Sequence, residues 1–171
     1  MADKYQTLAN GKGKLIEATV ASTGVAQAGD ILALDGSGKI DASVLPTGVG
    51  PDGKIAEADE ALSAGDYVNI FDDGGTVKVR LADNSNGREA HGFVLDAFAA
   101  AAQATVYFEG ANTAVAAGTA GSRAYLGTAG AIITTPLDES LPANVGKLHQ
   151  LLGSYVDTNE INTDIDDCII L

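Results

Sequence analysis

The sequence has little of several residue types, and each shortage narrows what the chain can be. Its 171 residues include a single cysteine, Cys168, which excludes an internal disulfide framework. Tryptophan is absent, and aromatic residues make up only 5% of the chain. No apolar run approaches the length of a membrane span, and residues 1–14 lack the apolar core of a signal peptide. We therefore expect a protein that does not cross a membrane by the usual route.

Basic residues are also scarce. Ten Lys and Arg residues against 23 Asp and Glu residues give a formal net charge of −13. A chain this acidic repels phosphate, so binding to DNA or RNA is disfavoured. Two explanations of the charge stay open: it maintains solubility, or an acidic outer face meets a basic partner surface.

Side chains for catalysis are few. The two histidines, His91 and His149, have no second imidazole or cysteine at metal-ligand spacing. His91 is predicted to be a structural residue that hydrogen-bonds at the start of a strand. Cys168 precedes a short apolar run and is predicted to pack as a small apolar residue. No G-x-S-x-G motif is present. We expect no enzymatic activity.

Two loops approach known ligand-binding motifs without completing them. Residues 36–39, Gly-Ser-Gly-Lys, lack the earlier glycine of a phosphate-binding loop, and Ile40 stands where that motif requires Ser or Thr. Residues 83–87 offer oxygens for calcium, but Gly87 takes the place of the third EF-hand ligand. An Asx turn explains this second loop better. No cofactor and no metal ion are expected.

The residues that are abundant favour strands and tight turns. Apolar residues make up 46% of the chain, and 21 residues are glycine. Strands are predicted at Tyr67–Phe71 and Thr76–Leu81, joined by a glycine hairpin turn, and again at Gly92–Leu95 and Thr105–Glu109. Further hairpins are predicted at residues 28–40 and 122–133. The predicted fold class is mainly β: a small β-barrel or β-sandwich-like domain built from hairpins, with an extended N-terminal arm.

The chain is predicted to divide near residue 50. Residues 41–53 contain two prolines and three glycines, which favour an extended connector. Residues 1–50 are therefore interpreted as an N-terminal arm and connector, with one strand at Lys14–Val20. Residues 51–171 are interpreted as the β-rich domain. Within it, residues 145–156 fit a helix or a strand pair, and the acidic C-terminus fits a final edge strand whose carboxylates face solvent.

Several passages resemble the proteins of tailed bacteriophages. Residues 29–46 resemble a segment of phage structural proteins, although the passage GKIDASVLP within it is also similar to phage tail fibres. Glu60–Ile70, Ala90–Val94 and Ala104–Thr113 resemble the body of phage head decoration, or cement, proteins. The similarity runs in the same order over about residues 24–135.

The resemblance implies a non-enzymatic virion protein on the outer surface of the capsid, synthesised in the host cytoplasm. Such a protein binds the major capsid protein and bridges neighbouring subunits, which stabilises the head. It implies a homo-oligomer, for which we expect a trimer ahead of a dimer, and no nucleic-acid or membrane partner. The alternative is a tail-fibre or head-fibre attachment module.

The arm is the expected site of capsid contact. A short strand such as Lys14–Val20 can add to an exposed sheet edge of the capsid, and several arms in one oligomer add avidity. The expected capsid-contact residues are Lys12, Lys14, Leu15, Ile16, Val20, Ile31, Leu34, Ile40, Val44, Leu45 and Pro46.

Overall fold

The computed structural model describes residues 4–22, 24–36, 38–41, 44–45 and 52–171. The chain divides into two compact units, residues 1–50 and residues 51–171. Regular structure in the described residues consists of short β-strands with 3-10 turns such as Val25–Gln27 and Pro142–Asn144, and it includes no α-helix. The prediction of a mainly β fold with a small barrel is confirmed.

The N-terminal unit begins with a β-hairpin. Strand β1 (Lys4–Ala9) pairs antiparallel with strand β2 (Lys12–Glu17). Asn10 and Gly11 connect them with φ angles of 52° and 76°, as a type I′ turn requires. The sequence predicts a single strand at residues 14–20, whereas the observed strand begins and ends earlier and has a partner. The Asn-Gly pair is the local signal for this hairpin.

The described part of residues 18–45 contains turns and one isolated bridge. The amide of Thr19 donates to the carbonyl of Ile31 at 2.9 Å, and the carbonyl of Thr19 accepts from the amide of Ala33 at 2.9 Å. The hairpin predicted at residues 28–40 is wrong, since no strand forms among the residues described there. Instead the Asp35 amide donates to the Lys39 carbonyl, and the Lys39 amide donates to the Asp35 side chain, which closes a tight turn. The predicted connector lies mostly outside the described residues.

The second unit begins with a closed five-stranded barrel. Its strands are β3 (Gly53–Ala58), β4 (Tyr67–Asp73), β5 (Thr76–Leu81), β6 (Gly92–Phe93) and β7 (Gln103–Tyr107). They follow the order β3-β5-β4-β6-β7, and most neighbours are antiparallel, but β3 and β5 are parallel. Small side chains with 0% exposure fill the interior, as a narrow barrel requires; they are Ala58, Val68, Val79, Val94, Ala104 and Val106.

Glycines shape the barrel at two points. Gly74 and Gly75 join β4 to β5 with φ angles of 62° and 94°, which confirms the predicted hairpin turn. Gly92 lies so close to β7 that an added Cβ would be 2.5 Å from the carbonyl oxygen of Tyr107 and 2.8 Å from a methyl group of Val106. The absence of a side chain at Gly92 thus lets β6 approach β7 and helps to close the barrel.

The rest of this unit forms a second five-stranded sheet. Its strands are β8 (Gly110–Asn112), β9 (Arg123–Leu126), β10 (Ile132–Ile133), β12 (Leu151–Asp157) and β13 (Glu160–Thr163), in the order β10-β9-β12-β13-β8. The pairing of β9 with β10 confirms the hairpin predicted at residues 122–133. Strand β13, predicted as an edge strand, lies instead between β12 and β8, since its backbone pairs antiparallel with both. Its Ile161 and Thr163 side chains turn inward, with exposures of 0% and 4%.

A second apolar core joins the barrel to this sheet. Tyr67 and Phe93 of the barrel, with ring centroids 6.0 Å apart, pack in one cluster with Leu152 and Ile161 of the sheet. The Tyr67 hydroxyl also lies 3.0 Å from the hydroxyl of Thr163. A two-residue pair, β11 (Leu148–His149) with β14 (Ile169–Ile170), completes the unit, so residues 145–156 form strands and not a helix.

Candidate interaction surface

The N-terminal unit exposes apolar side chains to an unusual degree. None of its described residues is buried, whereas the second unit has two buried clusters. Nine of the 16 large apolar side chains found exposed in the described residues belong to this unit. They are Leu8, Leu15, Val20, Val25, Ile31, Leu32, Leu34, Ile40 and Leu45. A segment that exposes this much apolar surface without a core of its own is typical of an interaction site.

The register of the β1–β2 hairpin sorts its side chains onto two faces. Directly paired residues of an antiparallel hairpin point to the same side, and successive residues point to opposite sides. One face therefore carries the pairs Lys4–Glu17, Gln6–Leu15 and Leu8–Gly13. The other carries Tyr5–Ile16 and Thr7–Lys14, together with Lys12. We call these the leucine face and the lysine face.

The two faces differ in charge. On the leucine face the side chains of Lys4 and Glu17 lie 3.5 Å apart and neutralise each other. On the lysine face, Lys12 and Lys14 are both exposed, and no salt bridge of the described residues includes either one. The distal half of the hairpin is therefore cationic in a chain whose net charge is −13.

The second unit carries an open cleft of about 680 Å³ with an acidic lining. Three large apolar residues, Ile70, Phe108 and Ile165, line it together with five carboxylates. The carboxylates belong to Glu89, Glu109, Asp164, Asp166 and Asp167.

A hydrogen-bonded group centred on Glu89 lies at this cleft. The Ile70 amide donates to Nδ1 of His91 at 2.9 Å, so the ring proton is on Nε2, which lies 3.2 Å from one oxygen of Glu89. The Cys168 thiol donates to the other oxygen at 3.0 Å. The predicted structural role of His91 at a strand is confirmed. Cys168 is more than a small apolar residue, since its thiol holds the C-terminal segment to Glu89.

The pKa values of this group keep the thiol protonated. The hydrogen bond from Cys168, followed by that from His91, lowers the pKa of Glu89. The same bond to Glu89, with burial, raises the pKa of the Cys168 thiol. Since the thiolate is the nucleophilic form of cysteine, Glu89 makes Cys168 less reactive.

The loop at residues 83–87 is held by its own hydrogen bonds. The amide and hydroxyl of Ser85 donate to one carboxylate oxygen of Asp83 at 2.8 Å and 2.6 Å, which confirms the predicted Asx turn. Among the described residues, no group of three or more His, Cys, Asp or Glu side chains is placed to hold a metal ion. The same part of the chain has no helix that is long and apolar enough to span a membrane.

Among the comparisons with known proteins, that with solved structures gives a similarity to a phage protein. No family model matches the chain, and no curated protein matches it. A crystal structure of the N base of the head fibre gp8.5 of bacteriophage phi29 is similar with a TM-score of 0.43 and 13% sequence identity. The similarity covers 70% of this chain and 92% of that chain. These values are too low to show a shared fold.

The expected capsid-contact residues lie in two parts of the N-terminal unit. Lys12, Lys14, Leu15 and Ile16 belong to β2, and Ile16 is half-buried on the lysine face. The remaining residues lie outside the strands; Val20, Ile31, Leu34, Ile40 and Leu45 are exposed, Val44 is half-buried, and Pro46 is outside the described residues.

The structure brings only some of these residues together. A parallel bridge pairs Thr19 with Leu32 and so joins the two segments that carry Val20 and Ile31. Val44 and Leu32 line a depression of about 270 Å³. Thr19 and Asp30 line it too, and the Thr19 hydroxyl donates to the Asp30 carboxylate at 2.7 Å. Leu8, Leu32 and the 92% exposed Val25 were not predicted. Recognition of the Asn-Gly turn would have paired Leu8 with β2 and thereby identified it.

Proposed function

We propose that this protein is a phage head decoration protein whose N-terminal unit binds the major capsid protein on the outer capsid surface. In this role it bridges neighbouring capsid subunits and stabilises the head. The observation that carries the proposal is the absence of burial in the described residues of the N-terminal unit, together with its nine exposed large apolar side chains. Such residues gain burial by contact with a partner.

The energetic scale of this contact favours attachment through several copies at once. Complete burial of one such side chain is worth about 2 kcal/mol. Burying the nine side chains, each about half-exposed, therefore supplies on the order of 10 kcal/mol before the cost of association is subtracted. Association itself costs about 4–15 kcal/mol. One copy would therefore bind weakly, and an oligomer that attaches through several N-terminal units would bind firmly.

The location of the resembling passages supports the proposal. Glu60–Ile70 leads into and begins β4, Ala90–Val94 contains β6, and Ala104–Thr113 contains most of β7 and all of β8. These passages contribute strands to the barrel and the adjoining edge of the second sheet. The similarity to decoration proteins thus falls on one folded body and not on scattered surface loops.

The hairpin also offers a means of attachment through its backbone. Within the described residues β2 pairs with β1 alone, so its outer edge can add to a sheet edge of the capsid protein. Main-chain hydrogen bonds would then supplement the apolar contacts. The second unit remains outside as the bulk of the decoration.

A substitution experiment tests the attachment. We expect Ile31→Ser/Leu34→Ser/Ile40→Ser to lose retention on purified heads, because it removes exposed apolar contacts without disturbing a core. The matched control is Ile55→Ser/Val77→Ser/Val156→Ser, which removes three exposed apolar side chains from the second unit. Co-sedimentation with heads that lack the protein measures both. Equal retention of the two variants would contradict the proposal.

A fibre attachment module is the second candidate, because the passage GKIDASVLP also resembles tail fibres. The two functions differ in copy number. Quantification against the major capsid protein in purified particles should give hundreds of copies for a decoration protein. A few copies, or a few dozen, would favour the fibre module.

A further inference from the structure

The two faces of the N-terminal hairpin differ in a way that specifies the chemistry of the partner. We infer that the β1–β2 hairpin binds as a wedge in a groove between two capsid subunits, with an apolar wall against the leucine face and a carboxylate-bearing wall against the lysine face. This inference rests on the proposed function, and it names the partner surface that the hairpin fits.

The leucine face is suited to an apolar wall. All six of its residues are exposed, and Leu8 and Leu15 are 79% and 66% exposed at diagonal positions. Opposite Leu8, Gly13 adds no side chain to this face. The side-chain amide of Gln6 lies over Gly13, within 2.5 Å of where a Cβ would be. The only charges on the face are those of Lys4 and Glu17, which are paired. Covering it therefore desolvates two leucines and leaves no unpaired charge in the distal half.

The lysine face is suited to a carboxylate-bearing wall. Lys12 and Lys14 are two residues apart on β2, so their side chains emerge on the same side about 7 Å apart. Thr7, the cross-strand partner of Lys14, carries no charge. Residues 4–16 contain three lysines and no Asp or Glu. Carboxylates of a partner would relieve the repulsion between Lys12 and Lys14 and would be steered toward them.

A single flat surface cannot satisfy both faces. The leucines and the lysines point to opposite sides of a two-stranded sheet, so contact with one set turns the other toward solvent. A groove contacts both, and the junction between two subunits supplies such a groove. The negative charge of the rest of the chain argues against phosphate surfaces as the partner, because nucleic acids and anionic membranes would repel it.

Insertion into the groove would also stabilise the structure of the hairpin itself. An isolated two-stranded hairpin is marginally stable in water, and this one has no buried residue of its own among those described. The type I′ turn at Asn10 and Gly11 fixes the register before binding. Insertion then stabilises a conformation that the sequence already favours, which reduces the entropy cost of binding.

The test separates the two faces by their salt dependence. Purified heads that lack the protein are the probe, and binding of the full chain is measured from low to high ionic strength. We expect Lys12→Gln/Lys14→Gln to bind about tenfold more weakly at low salt and equally at high salt, because screening already removes this contribution. We expect Leu8→Ser/Leu15→Ser to bind about tenfold more weakly at every salt concentration, with an unchanged salt dependence.

Controls keep the result specific. Lys39→Gln in the same unit and Lys54→Gln on β3 remove exposed lysines elsewhere and should leave the salt dependence unchanged. Lys12→Arg/Lys14→Arg keeps both charges and should bind as the wild type does. Because both faces act independently, the effects of the two double variants should add when combined.

The outcomes distinguish the two proposals. If the wild type binds and Lys12→Gln/Lys14→Gln keeps its salt dependence, the wedge is wrong and the proposed function stands. The wedge is also wrong if Leu8→Ser/Leu15→Ser binds normally, since only one face would then be in contact. If the wild type does not bind heads at all, both the proposed function and the wedge are overturned.

Discussion

Gln150 is a buried side chain whose removal should have a large and specific effect on the second unit. It is 3% exposed, and its side-chain amide pairs with the backbone of Ala90, accepting from the Ala90 amide at 2.8 Å and donating to the Ala90 carbonyl at 3.1 Å. It also donates to the carbonyl of Asp166 at 3.1 Å. The Gln150 side chain thus makes backbone hydrogen bonds like those of a neighbouring strand, and it connects the segments of Ala90 and Asp166.

Gln150→Ala leaves these backbone groups without partners. Ala90 is 2% exposed, so its amide and carbonyl would lie unpaired in the interior, at about 1–3 kcal/mol each. The carbonyl of Asp166 belongs to an exposed residue and can bond to water, so it adds little. A water that enters the vacated space would recover part of the loss. We therefore expect Gln150→Ala to lower the free energy of unfolding by about 3 kcal/mol.

Urea unfolding followed by tyrosine fluorescence measures this change, because the chain has five tyrosines and no tryptophan. Gln103→Ala is the control, since Gln103 is exposed at the start of β7 and should change stability by less than about 0.5 kcal/mol. Gln150→Glu should cost at least as much as Gln150→Ala at neutral pH, because a carboxylate would face two carbonyl oxygens. A loss below about 1 kcal/mol in Gln150→Ala would refute the account of Ala90 as a buried group that depends on Gln150.

Two further predictions concern the barrel. Gly92→Ala should destabilise the second unit by about 1–3 kcal/mol, because the new Cβ meets the backbone of Tyr107. Thermal unfolding measures this change. The control is Gly36→Ala, at an open position, and an equal effect of the two substitutions would contradict the reasoning. Burial raises the pKa of Tyr67 to about 12, whereas a tyrosine of the unfolded chain ionises near pH 10. Because only the unfolded chain loses this proton between the two values, the free energy of unfolding should be unaffected below pH 10 and should fall by about 2 kcal/mol as the pH rises to 12. Spectrophotometric titration should show one tyrosine that ionises last, and Tyr67→Phe should remove that step.

Local signals explain which strands were predictable. The hairpin at β4 and β5 was predicted because two glycines stand between runs of β-formers, and Gly74 and Gly75 do take positive φ angles. The N-terminal hairpin carried an equally strong signal at Asn10 and Gly11, but the strands beside it are polar, so the pattern of β-formers was weak. The turn residues therefore indicated these two hairpins more reliably than the runs of β-forming residues did.

Pairing over long distances in the chain was not predictable. The alternation at residues 160–163 correctly gave one inward and one outward face, since Ile161 is fully buried. Nothing local indicates that β8, about 50 residues earlier, covers the outer side of this strand. The expected edge strand therefore became an interior one.

The candidate site was predictable in location and not in detail. Lysines and exposed apolar residues within residues 1–50 pointed to the N-terminal unit, but the separation of Leu15 from Lys12 and Lys14 onto opposite faces depends on the register with β1. The group formed by Glu89, His91 and Cys168 was missed for the same reason, because Cys168 is 79 residues from Glu89 in sequence.

The closure of the barrel has a consequence for the order of folding during synthesis. The last contact to form joins β3 to β7, where Gly53 pairs with Tyr107, so the barrel stays open until residue 107 has left the ribosome. Contacts this far apart in sequence form slowly, whereas the hairpin of β1 and β2 joins neighbouring residues and forms within microseconds. Each nascent chain therefore presents its binding segment before it has a folded body. Newly made chains on one messenger RNA would expose Leu8 and Leu15 to one another at high local concentration, and closure of the barrel does not end this exposure, because both leucines stay exposed in the folded chain.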